Sequence, residues 1–221
     1  GRILMNQLNA TRLWNIDSAA TAYIRNFLSY ALQSRPVNDI RPWTADKEEF
    51  NLAKNQIQII DLRKYANRGF KDDAAGDTAG GWTDQGENDF RDMPLGDYKA
   101  GGVPFEIIDP ASNSDKACVI LKGGQKPYFP ESVKDISVNA ALSDLFFLHA
   151  LAWGGGGGIA GYYKINYADG SSIEIPMKDS ENIADWFFPG SLPNAVVGIS
   201  GKNSTGANVG IWMYRWKNPN P

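Results

Sequence analysis

From residue 57 onward the chain is broken into short apolar runs with turn signals between them, and this punctuation restricts the fold more than any other feature. The alternating segment 57–62 and the runs VPFEII (103–108) and ACVIL (117–121) come first. Segment 135–138, DLFFLHALAW (144–153), GYYKINY (161–167), SIEIP (172–176), 195–199 and VGIWMYRW (209–216) follow. Asp109-Pro110, Gly123-Gly124, Lys126-Pro127 and the polar stretch 201–206 read as turns between runs. Asp169-Gly170 is the sharpest of these signals, because an Asp-Gly pair accepts the positive φ of a tight hairpin. About eight short strands with no helical period among them predict an antiparallel β-sandwich of the jelly-roll kind over 56–221. The proline-rich end, WKNPNP, suggests that a final edge strand is missing from this domain.

Composition removes several classes of function. The 221 residues suffice for a proper core without staples, and 12% aromatics, with 23 Gly and 12 Pro, suit a loop-rich β protein. A net charge of -3 with 21% charged residues gives no basic stripe for nucleic acid. No apolar run has the length of a membrane span. Cys118 is the single cysteine, so an internal disulfide and a cysteine-based zinc cluster are both excluded.

The N-terminal part reads differently. RILMNQL (2–8) is a short buried strand by composition, and Asp17 or Ser18 can cap a following helix. Ala20, Tyr23, Ile24, Phe27, Leu28, Ala31 and Leu32 recur at helical spacing, and the pattern stops before Pro36. One strand and one helix cannot bury that face alone. The expected organisation is therefore a strand-helix remnant of an upstream domain (1–35), a linker (36–55) with Trp43 packed on the domain surface and a short helix from Thr44 to Leu52, then the β domain (56–221).

The long segment 65–92 has neither period, yet it lies between strand candidates, and loops of this length are usually functional or disordered. Asn67, Arg68, Asp84 and Gln85 offer hydrogen-bonding groups beside the flat ring of Trp82, which is the chemistry of a sugar site. The same segment is dense in carboxylates. Asp73, Asp77 and Asp84 could serve as oxygen ligands of a structural calcium ion, although the spacing is not that of an EF-hand. Solvated carboxylates and an inward-turned Trp82 are the plain alternatives. Trp153 and Trp186 are further candidates for an aromatic platform. His149, the single histidine, has no nucleophile or second metal ligand in its sequence neighbourhood, so a hydrogen-bonded structural role competes with one in lining a sugar pocket. Gly154 to Gly158 lacks the Lys-Ser/Thr of a phosphate loop and reads as a connector.

Two resemblances accompany these readings. GRILMNQL, Trp14 and DSAATAYIRNFLSYAL are similar to the last strand and helix of flavodoxin-like domains in some large glycoside hydrolases. Asn67-Arg68-Gly69-Phe70, Gly76-Asp77, Gly80 to Gly86, Gly102 to Phe105, Phe147 to Ala150 with Trp153, Tyr167 to Gly170 and Trp216 to Pro219 carry the second. Together they resemble the galactose-binding-like, jelly-roll domains at the C-terminal ends of bacterial polysaccharide-degrading enzymes. That resemblance implies a secreted, periplasmic or cell-surface accessory module. It would have no catalytic residues of its own and would bind a polysaccharide or oligosaccharide beside an upstream catalytic domain. A packing domain without a ligand is the first alternative. A glycoside hydrolase is the second, and it would need two carboxylates facing one another across a cleft, for which Asp77, Asp84, Glu106 and Glu174 are the sequence candidates.

Overall fold

In a computed structural model the described residues are 56–221. The expected strand over 2–8, the amphipathic helix, Trp43 and the linker lie outside them. The described part is mainly β and antiparallel. Its strands are β1 (Gly96–Ala100), β2 (Val103–Ile107), β3 (Asp144–His149), β4 (Ile159–Asn166), β5 (Ser172–Lys178), β6 (Ala195–Lys202) and β7 (Asn208–Lys217). They form a β1-β2 hairpin, a three-stranded sheet in the order β3-β7-β6, and a β4-β5 hairpin.

The centre of the fold is β7, which pairs with β3 on one side and β6 on the other. Successive side chains of a strand point to opposite faces, and here both faces are covered. Val209, Ile211 and Met213 face one group of apolar residues, which includes Phe90, Phe105, Ala100 and Val103. Tyr214 and Trp216 face the other, with Leu145, Ile173 and Ile175. Burial on both sides explains why VGIWMYRW is a nearly continuous apolar run rather than an alternating one. The β1-β2 hairpin supplies one cover and the β4-β5 hairpin the other. Phe147 of β3 and Tyr163 of β4 seal the second layer with stacked rings 4.0 Å apart.

Several expectations need correction. Segments 57–62 and 135–138 form no ladder, and Asp135 sits at φ 62°. They are joined instead by side chains, Gln58 donating to the Val138 carbonyl at 2.8 Å and the Tyr65 hydroxyl to the Asp135 carbonyl. Segment 117–121 keeps only an isolated bridge between Cys118 and Arg68. Asn67 takes over the pairing there, its amide donating to the Ile120 carbonyl and its oxygen accepting the Ile120 N–H, both at 2.9 Å. The last strand, β7, pairs with β3 over residues 212–217 and with β6 over 208–214. The Asp169-Gly170 turn does close β4 on β5, with Gly170 at φ 87°.

Candidate functional site

Segment 65–92 is ordered by carboxylates turned inward. Asp72, Asp84 and Asp89 are almost wholly buried, which requires that each be paired or hydrogen-bonded. Asp89 accepts the Asp72 N–H at 2.7 Å and two bonds from the Arg91 guanidinium at 2.9 Å. Asp72 accepts the N–H groups of Ala74 at 3.3 Å and Gly86 at 2.9 Å. Asp84 accepts Gly76 and Thr78 through one oxygen. Through the other it binds the Lys126 ammonium at 3.0 Å and the Tyr128 hydroxyl at 2.5 Å. Burial opposes ionisation of Asp84, but the Tyr128 hydroxyl and Lys126 ammonium outweigh it and hold the carboxyl below its ordinary range. Burial and then the Asp84 bond push the Tyr128 phenol up to about 12.

This geometry bears on the calcium expectation. The carboxylate that joins Asp77 and Asp84 is Asp72, with the three ligand atoms within 4.8 Å of one another. Asp73 instead points outward and pairs with Lys71 at 3.0 Å. Calcium needs several free oxygens, whereas both Asp84 oxygens and both Asp72 oxygens already accept protein donors. A lysine ammonium also stands beside the cluster. The residues present do not fit calcium while Lys126 is in place.

The sugar-site candidates divide in the same way. Trp82 packs into the core by its edge against Trp186, with ring centroids 4.9 Å apart at 73°, and its buried indole N–H has no protein acceptor. Trp186 is itself 1% exposed and belongs to the core. Arg68 donates to the Asn67 and Thr78 carbonyls and lies over the Phe129 ring, while Gln85 accepts from Asn88. His149 bonds the Tyr163 hydroxyl through Nδ1 at 3.0 Å and the Asn182 carbonyl through Nε2 at 2.8 Å. Nε2 therefore carries the proton and donates, while Nδ1 accepts from Tyr163. Burial pushes its pKa down to about 4. These five residues make their contacts within the domain.

Trp153 differs. The residue is 47% exposed, on a backbone with φ 59°, and the Lys126 ammonium lies 5.9 Å from its ring centroid. It opens the five-glycine connector, which is fastened from beneath by two carboxylates absent from the sequence candidates. Asp185 accepts the Gly154 N–H at 2.7 Å. Asp179 accepts those of Gly155 at 2.7 Å and Gly157 at 3.1 Å. An open cleft of about 260 Å³ follows, lined by Gly155, Asp179, Ser180, Asp185, Phe187, Phe188 and Trp212, among others.

Comparison with protein-family models, with curated proteins and with solved structures finds no match. The reading of the site therefore rests on its own geometry. Phe188 is 73% exposed at φ 50°, and Ser180 has φ 66°. Left-handed backbone at a bulky residue such as Trp153 or Phe188 costs on the order of 1–3 kcal/mol and tends to gather at functional positions. Of these, Ser180 and Phe188 line the cleft. The sequence offered Trp153 as a candidate, but not Phe188, Asp179 or Asp185. The only local signal was the Phe188-Pro189-Gly190 turn, which gives no account of the cleft it borders.

Both cleft carboxylates are turned onto loop N–H groups, and Asp185 also accepts the Phe187 N–H at 2.9 Å. They act as staples of the connector.

Proposed function

We propose that the chain is a non-catalytic, carbohydrate-associated β module of the jelly-roll, galactose-binding-like kind, working as an accessory part of a secreted polysaccharide-degrading enzyme. The ligand face lies at Trp153 and the cleft beside it. The observation that carries this reading is the exposure of the Trp153 ring at the start of a connector whose backbone is fixed by Asp185 and Asp179. Sugar rings present apolar C–H faces that lie on an indole, and a fixed platform loses little entropy on binding. Trp82 is a brace in this account, a different role from the one its sequence context suggested. Among the described residues no helix is long and apolar enough to cross a membrane.

Affinity electrophoresis of the whole chain through gels containing soluble polysaccharides tests the proposal. Retardation by at least one polysaccharide, relieved by Trp153→Ala, is expected. Unretarded migration in every gel, or equal retardation of the variant, would overturn it.

A further inference from the structure

An exposed tyrosine ordinarily lays its ring against the protein and keeps its hydroxyl in water. Tyr128 does the reverse. Its hydroxyl is turned inward and donates to Oδ2 of the buried Asp84 at 2.5 Å, while the residue remains 41% exposed. The ring is held as firmly as its tip, because it lies 4.6 Å from the ring of Phe129, which is itself buried and covered by the Arg68 guanidinium. What Tyr128 presents to solvent is therefore a fixed apolar surface. Burial of that surface is left unrealised in the free chain, and a ligand that covers the ring recovers it.

Lys126 repeats the inversion two residues earlier. Its ammonium is drawn onto the carboxylate and the carbonyl of Asp84, both at 3.0 Å, and its side chain is mostly buried. The turn that carries both residues is closed by the Lys126 N–H donating to the Gly123 carbonyl at 3.1 Å and the Lys122 N–H to the Pro130 carbonyl at 2.8 Å. The same ammonium lies 5.9 Å from the centroid of the Trp153 ring. From that ring to Lys126 Nζ, to Asp84 Oδ2 and to the Tyr128 hydroxyl, the successive separations are 5.9, 3.0 and 2.5 Å. Two exposed aromatic residues are thus tied to one buried carboxylate, no farther apart than a short oligosaccharide reaches.

Resting on the carbohydrate reading above, we infer that Tyr128 is a second contact ring of the ligand face, and that the site takes a glycan chain of two or more units. One sugar lies on Trp153 and a neighbouring one on Tyr128. A chain covers both rings, whereas a single sugar rests on one. Because both rings are fixed before the ligand arrives, little ordering entropy is lost on binding.

Affinity gels of xyloglucan, galactomannan, mixed-linkage glucan and pectin, run with the intact chain, select the polysaccharide. Calorimetry then follows fragments of one to four units cut from the one that retards it. Affinity is expected to rise about five-fold or more from the one-unit to the three-unit fragment. Tyr128→Leu keeps an apolar group against Phe129 but removes the flat ring. It should weaken the three-unit fragment roughly three- to ten-fold and cancel most of the length dependence. Tyr128→Phe restores the ring without the hydroxyl and should recover most of that loss, while both variants forgo the Asp84 bond and share its cost in stability. Urea unfolding verifies that each is folded, and the length dependence of the wild type needs no variant. Equal affinity for the one- and three-unit fragments, undiminished binding by Tyr128→Leu, or an equal loss in both variants overturns the inference. If Trp153→Ala still abolishes retardation, the carbohydrate reading stands. Unretarded migration of the wild type in every gel overturns both.

Discussion

The Lys126 ammonium lies 3.0 Å from both the carboxylate and the backbone carbonyl of Asp84, a residue 42 positions earlier in the chain. The pair is nearly sealed, with side-chain exposures of 17% and 1%. A buried pair broken by removing one partner leaves an uncompensated charge. Lys126→Met should therefore lower unfolding free energy by about 3 kcal/mol, read as a reduced urea midpoint with an unchanged slope. Because the ammonium already supplies the positive charge, calcium or a chelator should leave the melting temperature of the wild type where it is. A marked rise with calcium would contradict that.

Trp82 and Trp153 should behave oppositely. Trp82 packs on Trp186, so Trp82→Ala opens a cavity and is expected to cost about 3 kcal/mol. Trp153→Ala, at an exposed site, should change stability by less than about 0.5 kcal/mol. Urea unfolding of the two variants checks both values.

His149 makes the fold acid-sensitive in a defined window. Its pKa is about 4 in the folded chain against an ordinary 6.5, so between those values the unfolded chain binds more protons than the folded one. Stability therefore rises with pH through this range, and is lost as pH falls from 6.5 towards 4, by at most about 3 kcal/mol. Asp84 adds a loss below its ordinary 3.8, because its folded pKa is lowered. His149→Gln should flatten the upper part of the profile, and a chemical-denaturation series across pH measures it.

Glycine tolerance should separate the packed loop from the connector. A Cβ at Gly69 would meet the Asp115 carbonyl oxygen at 2.6 Å, whereas one at Gly156 would meet nothing within 4 Å. Gly69→Ala is expected to destabilise by about 1–3 kcal/mol. Gly156→Ala should be neutral within about 0.5 kcal/mol. Paired thermal melts would show the difference.

The strands buried on one or both faces were legible because their apolar pattern is local. SIEIP, flanked by the Asp169-Gly170 turn, could hardly be anything else. β1 was not legible, since GDYKA has few apolar residues and is held by its register with β2. Segment 57–62 misled for the opposite reason. Its isoleucines alternate like a strand, yet Ile59 is 43% exposed and no neighbour completes a ladder. At the site, the sequence offered the right residue types but could not say which way they faced. Trp82 and Trp153 both sit beside glycines, and only the distant partners Trp186 and Lys126 distinguish them. Asp84 was visible as a polar candidate, but its occupant comes from a lysine read merely as part of a turn.

The most direct measurement is the retardation of Trp153→Ala and Trp82→Phe, each verified as folded, in polysaccharide gels beside the wild type. The account predicts that Trp82→Phe migrates as the wild type does and that Trp153→Ala loses its retardation. Retention of binding by Trp153→Ala together with its loss in folded Trp82→Phe would contradict it.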